Sequence, residues 1–504
     1  ASATNDSSWN GGSGFEPIAE FNGTLNGAGN TITNLSINRS GTNATGLVGV
    51  TESAAVISNL TLANASITGD NNVGTVVGSN AGTVQNATVS GSVRGGDRVG
   101  GVVGTISDGG AVTDSTGATN TSGDQRVGGL VGQSNGTVSG STASGAVSAD
   151  GNEAGGLVGQ SNGAIDRSST NNTVTANGSR VGGLVGQSNG NISIASASGT
   201  VTTNGSSAGG LVGQSNGTVF NSEASGDVSI EGDEAGGLIG QSTGDVKNAS
   251  ASGNATANGS RAGGLVGQSD GNVTRSSASG DAAVGEDEAG GLIGQSDGAV
   301  DTSSASGNAT ANGSRSGGLV GQTNGTVSNS EASGGVLASG DDAGGLLGQS
   351  NGAVTNARSS GTVSADGSRV GGLIGQSDGD VTSSTANGTV NASGNEAGGL
   401  VGQSNAAVKN SSASGDVSAN GNTVGGLLGE SNGTVSSSTA SGDVAATEGV
   451  TTRGTAYLVL SLADQQVIPV ATARTVIDEM VAEGWYCSPD IYAKLVQQLD
   501  SIAG

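Results

Sequence analysis

Apolar residues return along this chain with a period too long for a helix face or a single strand. The hexapeptide Gly128-Gly129-Leu130-Val131-Gly132-Gln133, with Val, Ile or Leu in its fourth place, begins at residues 128, 155, 182, 209, 236, 263, 290, 317, 344, 371, 398 and 425, a step of 27 each time. Three looser copies begin at Thr45, Gly74 and Gly100. A fixed period of this length marks stacked supersecondary units rather than separate globular domains. One unit, residues 128–154, divides into GGLVGQSNG, TVSGSTASG and AVSADGNEA. Each part joins a short alternating run to Gly, Asn or Asp where the chain must turn. The pattern predicts a mainly β fold: a parallel β-helix, or β-solenoid, of about 15 coils, with 27 residues and three short strands per coil. No proline occurs in residues 45–446, as expected of strands that must donate to a ladder. Coils about 4.8 Å apart would make roughly 58 Å from twelve copies and about 72 Å from fifteen.

Stacking turns sequence periodicity into axial columns. Two residues before each Gly-Gly pair the chain reads Arg126, Glu153, Arg180, Ser207, Glu234, Arg261, Glu288, Arg315, Asp342, Arg369, Glu396 and Thr423. Opposite charges alternate, which at the coil spacing replaces repulsion by attraction. This column is expected to set register rather than bind a ligand. A second column holds Gln133, Gln160, Gln187, Gln214, Gln241, Gln268, Gln295, Gln322, Gln349, Gln376 and Gln403 and ends in Glu430; stacked amides can bond along the axis. Leu130 and Val131 are adjacent, so strict alternation would expose one of them. The reading taken is that the flanking glycines bend the chain and both tuck inside.

The ends differ. Residues 1–44 hold Trp9, Phe15, Phe21 and Pro17 and are expected to form lead-in strands or a cap. Near residue 447 asparagine disappears and aromatics return. Spacings of three and four predict helices over Thr455–Gln466, Thr472–Glu483 and Pro489–Ile502. Residues 447–504 thus form a separate, small α-helical segment, leaving 45–446 as the solenoid.

Composition narrows the function. Glycine is 98 of 504 residues, and aromatics are 2%. The formal charge is -26, with 42 acids, 16 bases, no histidine, and lysine only at Lys247, Lys409 and Lys494. Such a surface stays soluble where salt screens its self-repulsion, a halophile's signature. It disfavours nucleic acid and anionic membranes. Cys487 stands alone, so no internal disulfide forms. No run approaches the roughly 20 apolar residues of a membrane span, and no signal peptide is present. The first residue is Ala1, not Met, which points to processing or to a fragment of a longer product.

Asn-x-Ser/Thr triplets are frequent, among them Asn22, Asn34, Asn59, Asn135, Asn216, Asn324 and Asn432. In a secreted chain they are candidate glycan acceptors; copying of a Ser/Thr-rich turn would also produce them. No catalytic, cofactor-binding or metal-ligating constellation emerges, and no cofactor is expected. Carbohydrate chemistry needs convergent carboxylates and usually aromatics, yet Phe220 is the sole aromatic in 45–446. Calcium-binding nonapeptide repeats need fixed aspartates that these glycines lack.

The Gly129-Leu130-Val131-Gly132 signature and its copies resemble the GLUG motif of large bacterial and archaeal surface proteins, including adhesin-like chains and some secreted proteases. The resemblance covers about 45–446 and implies an extracellular or cell-surface solenoid. The tail is similar to the C-terminal part of an uncharacterised PIN-like nuclease family through Gly454-Thr455, Leu458 to Ile468, Val476 to Met480, Glu483 to Tyr486, and Ser488-Pro489 through Leu495. It departs at Tyr457, where that family usually has glycine. The family's acidic metal-binding residues would lie upstream, where this chain is solenoid, so Asp478 and Glu479 are read as helix-surface charges and no nuclease activity is expected. The expected role is a non-enzymatic structural or adhesive rod. Its partners would be other surface proteins, glycans or copies of itself. The alternatives are a secreted β-helix carbohydrate-active enzyme and a remnant ribonuclease fusion.

Overall fold

A computed structural model describes residues 9–421, 423–446, 470–475, 496, 497, 499, 500 and 502. The chain forms two compact units, Ala1–Ala257 and Asn258–Gly504. Each is a parallel β-solenoid. The ladder carrying the Val-Gly-Gln-Ser strand has nine members in the first unit, from Ile18–Phe21 to Ile239–Ser242, and seven in the second, from Val266–Ser269 to Leu428–Ser431.

Residues one period apart lie in register on neighbouring coils. In the first unit Val131 pairs Val158 and Gln133 pairs Gln160, while Val138 pairs Ile165. In the second, Ile293 pairs Val320 and Val300 pairs Val327. The looser early copies keep this register by placing their odd residues at irregularities. One such break lies between Val89 and Gly91, where Gly91 takes a φ of 131°, a conformation open to glycine. Residues 18–38 already make a full coil: Ile18 pairs Val48, Leu25 pairs Ile57, Ile32 pairs Leu62 and Ile37 pairs Ile67. Before it lie a single 3-10 turn at Trp9–Gly12 and a tilted contact of the Trp9 and Phe15 rings, 6.2 Å between centroids.

Each coil is cut more finely than three parts. One coil of the first unit runs Ala154–Gly155, Val158–Ser161, Ile165–Asp166, Ser169–Thr170 and Thr173–Ala176. Those five segments fall into four sheets. The first nine-residue part, GGLVGQSNG, is itself split between two strands, because the chain bends at its Gly-Leu step. The bend is visible in the hydrogen bonds: the Leu157 carbonyl accepts from both Leu130 N–H and Val131 N–H, at 2.9 and 3.0 Å. Two successive donors aimed at one acceptor break the alternation of a strand. Leu130 and Val131 are therefore both fully buried, and no aliphatic column runs up the outside there. A second corner needs positive φ just after the Val138-type strand. Asn221, Asn248, Asn329, Asn356 and Asn410 supply it, at φ between 49° and 53°, a region asparagine tolerates better than most residues.

The core is a stack of small aliphatic side chains. In the second unit Val336, Ala338, Ala343, Val363, Ala365, Val370, Val390 and Ala397 pack into one cluster. Of the predicted C-terminal helices, Thr455–Gln466 lies outside the described residues. The others are described only in part: residues 470–475 are helical, and 496, 497, 499, 500 and 502 are helical positions. Arg474 pairs Asp500 at 2.9 Å, and Ala473 and Leu499 are buried.

Candidate functional site

The charged column lies on the short strand that enters each Gly-Gly bend. One side chain per coil stands in the same place, with the acids Glu153, Glu288 and Asp342 buried and the arginines half-buried, so charge meets charge one coil away. In the second unit Glu288 lies between two arginines: Arg261 Nε and Arg315 Nη2 each reach its carboxylate at 3.0 Å. Arg369 grips Asp342 with two nitrogens, Nε at 2.5 Å and Nη2 at 3.2 Å. Register then carries the column from Arg369 to Glu396 and Thr423. In the first unit Arg180 meets Glu153 at 2.8 Å, and Ser207 pairs in register with Glu234. Ser207 instead donates its hydroxyl to the Gly213 carbonyl at 3.0 Å. Arg126 turns back to Asp97, which also holds Arg98 at 3.1 Å. Asp97 is not legible as a column member because it lies one residue before the column: it stands in register with Gln125, and Val99 with Val127, so the column position itself is Arg98.

Burial shifts the titration of two acids in this column, Glu288 and Asp342. It pushes the Glu288 carboxyl above its ordinary range, and Arg315 and Arg261 pull it back only in part. Asp342 is raised in the same way against the opposing pull of Arg369. Asp301 moves the other way, held low by hydrogen bonds from Ser328, Asn329 and Thr302. A raised folded-state value means that the folded protein holds the proton more tightly than the unfolded chain does. Stability from Glu288 and Asp342 is then greatest below the ordinary carboxylate range and falls as pH rises through the raised value. The stability of Glu288→Gln relative to the parent should therefore increase as pH climbs from the acid side to neutral. Urea denaturation across that range measures it, and a stability of Glu288→Gln that falls relative to the parent as pH rises would contradict the assignment.

The amide column behaves differently in the two units. In the first, Gln133 donates to Gln160 at 2.8 Å, Gln160 to Gln187 at 3.0 Å, Gln187 to Gln214 at 3.2 Å and Gln214 to Gln241 at 2.7 Å. In the second, Gln268 and Gln376 reach Asp270 and Asp378 of their own coils at 3.5 Å. Gln295, Gln322, Gln349 and Gln403 keep their register, and Glu430 stands opposite Gln403. At Gln268 and Gln376 the turn residue is a carboxylate instead of an asparagine, which puts a charged acceptor near the amide N–H.

The candidate glycan acceptors line exposed turns, and most are already linked through their amides. Asn135 accepts from Asn162 at 2.8 Å, and Asn216 donates to Asn189 at 2.7 Å. Asn324 donates to Asp297 at 2.6 Å and Asn432 to Asn405 at 2.9 Å. Asn59 donates to Asn26 at 3.1 Å and Asn22 to Glu52 at 2.6 Å; Asn34 sits at a corner with φ 56°. Among the described residues no group of three or more His, Cys, Asp or Glu is placed to hold a metal ion, and no helix is long and apolar enough to cross a membrane. Asp478 and Glu479 lie outside the described residues.

Comparison with known proteins places these features. The chain matches the family model described as the GLUG motif at residues 366–391 and 393–418, and a PIN domain model at 437–501. The first ten residues of the PIN match fall in the solenoid, where Thr439–Ala440 and Val444–Ala446 are strands. Over 154 residues the chain is 64% identical to Halomucin of Haloquadratum walsbyi; the aligned stretch is 30% of this chain and 2% of that protein. The chain thus spans a small fraction of the length of this relative. No solved structure matches.

Proposed function

We propose that this chain is a non-enzymatic structural part of a secreted or cell-surface protein that works in concentrated salt. The observation that supports it most is the 64% identity to a stretch of Halomucin. The side chains agree with it. The charged column is engaged between coils, and the first unit's glutamines bond to one another, so these groups brace the solenoid instead of converging on a substrate. A fold whose coils each contact mainly their neighbours can lengthen by copying without redesign of its core. The acidic, lysine-poor surface suits a medium in which salt screens like charges. Attachment to other surface proteins, glycans or further copies belongs to the same proposal.

Immunogold labelling with an antibody raised against residues 258–446 tests it on unpermeabilised cells at growth salinity. Label on the envelope or in the medium, removed by external protease, is expected. Label that appears only after permeabilisation would sink the proposal.

A further inference from the structure

Asparagine followed by glycine recurs one coil above another in the turn after the Val-Gly-Gln-Ser strand. In the first unit the column is Asn135, Asn162, Asn189 and Asn216, all exposed. The four turns share their backbone bonds. Each asparagine N–H donates to the coil before it, at 2.7 or 2.8 Å, and the serine in front donates its hydroxyl to the glycine carbonyl. The N–H groups of Gly136, Gly163, Gly190 and Gly217 have no hydrogen-bond acceptor among the described residues.

The side chains are not equivalent. Asn162 Nδ2 donates to Asn135 Oδ1 at 2.8 Å, Asn189 Nδ2 to Asn162 Oδ1 at 2.6 Å and Asn216 Nδ2 to Asn189 Oδ1 at 2.7 Å. The Thr243 hydroxyl donates to Asn216 Oδ1 at 3.2 Å. Every Oδ1 in the column is therefore bonded, and every Nδ2 but one is tied to the coil below. Asn135 is the foot of the ladder: its Nδ2 has no acceptor among the described residues.

An Asn-Gly pair can lose ammonia. The glycine nitrogen gives its proton to hydroxide and attacks the asparagine Cγ, closing a five-membered imide. The Cγ–Nδ2 bond breaks, and Nδ2 takes a proton from water and leaves as ammonia. Water then opens the imide to aspartate or isoaspartate, one negative charge more than before. A donor on Oδ1 stabilises the oxyanion of this step, whereas a hydrogen bond from Nδ2 to a neighbouring coil holds the leaving nitrogen in place. In this column only Asn135 has the first without the second.

We propose that Asn135 is a site of spontaneous conversion to an acid, ahead of Asn162, Asn189 and Asn216. The second unit supplies independent support, because its asparagine ladders already stand on carboxylates. Asn324 Nδ2 donates to Asp297 at 2.6 Å, and Asn405 Nδ2 to Asp378 at 2.7 Å. A carboxylate at the foot keeps the bond from above and makes it charge-assisted. Higher in the ladder it would lose a donor and set two acceptors against each other. Local sequence does not draw this distinction, since residues 128–138 and 209–219 are identical.

The test is fragment-ion mass spectrometry of peptides from the full chain, aged at mildly alkaline pH in high salt or in urea. In the folded chain Asn135 should convert at least about five-fold faster than Asn216, the factor that one amide hydrogen bond makes in a rate. In urea the two should convert equally. In Asn135→Ala the foot moves up one coil, and Asn162 should gain by a similar factor. Asn216 keeping pace with Asn135 in the folded chain, a difference that persists in urea, or no gain at Asn162 in the variant would each overturn the proposal.

Discussion

Gly290→Ala is expected to destabilise the second unit by about 3 kcal/mol or more, the range of the named severe mechanisms. The added methyl would strike the carbonyl oxygen of Ile293 in its own coil and lie 3.0 Å from the Gly321 nitrogen in the next. Both obstacles are backbone. Ile293 is held in a ladder with Val320, so neither side can retreat without breaking paired strands. Gly335→Ala is the matched control. Its nearest neighbours would be the Asn308 side chain at 3.3 Å and the Thr362 carbonyl at 3.7 Å, and equivalent positions already carry Asn308 and Thr362. Its effect should stay within about 0.5 kcal/mol. Guanidinium unfolding of the two variants gives the comparison. Equal stability would mean that close backbone approach is not what the Gly-Gly bend requires.

Removing coils in ones and twos should give the second large effect, with an unusual sign. Deleting residues 275–301 takes out one period and leaves every strand in register, but it sets Arg261 against Arg315. Deleting 275–328 takes out two periods and sets Arg261 against Asp342. Arginine stays charged at any accessible pH, so the single deletion creates a half-buried like-charge contact that salt screens incompletely. The single deletion should be less stable than the double by about 2 kcal/mol, taking unit charges one coil apart at an intermediate dielectric and allowing the side chains to swing. A solenoid governed only by coil number predicts the reverse, since the longer protein keeps one more interface. Thermal melts of the two deletion proteins distinguish the cases, and greater stability of the single deletion would remove the ladder as a determinant of register.

Both predictions start from features readable in the chain. The 27-residue step, the missing prolines and the alternating charges required parallel stacking, because only residues directly above one another explain why Arg261, Glu288, Arg315 and Asp342 change sign in turn. Asp97 shows the limit of that method. It pairs Arg126 and Arg98, yet it stands in register with Gln125 and not with Arg126, so a count along the column meets Arg98 and passes the acid by. The glutamine column shows another limit. Its members recur identically, yet Gln133 bonds along the axis to Gln160 while Gln376 reaches Asp378 of its own coil; the repeat does not distinguish them, because the local turn aims the amide.

Periodicity in the sequence by itself determined the class of fold, the register of its coils and the order of charges along them, since stacking needs nothing beyond equal spacing. The course of each coil was decided by tertiary structure. Whether Leu130 and Val131 face one way or two and how many segments a coil contains both depend on local bends. Those bends are set by one Leu157 carbonyl taking two donors from the preceding coil and by backbones packed closely enough, within a coil and between coils, to exclude a methyl group.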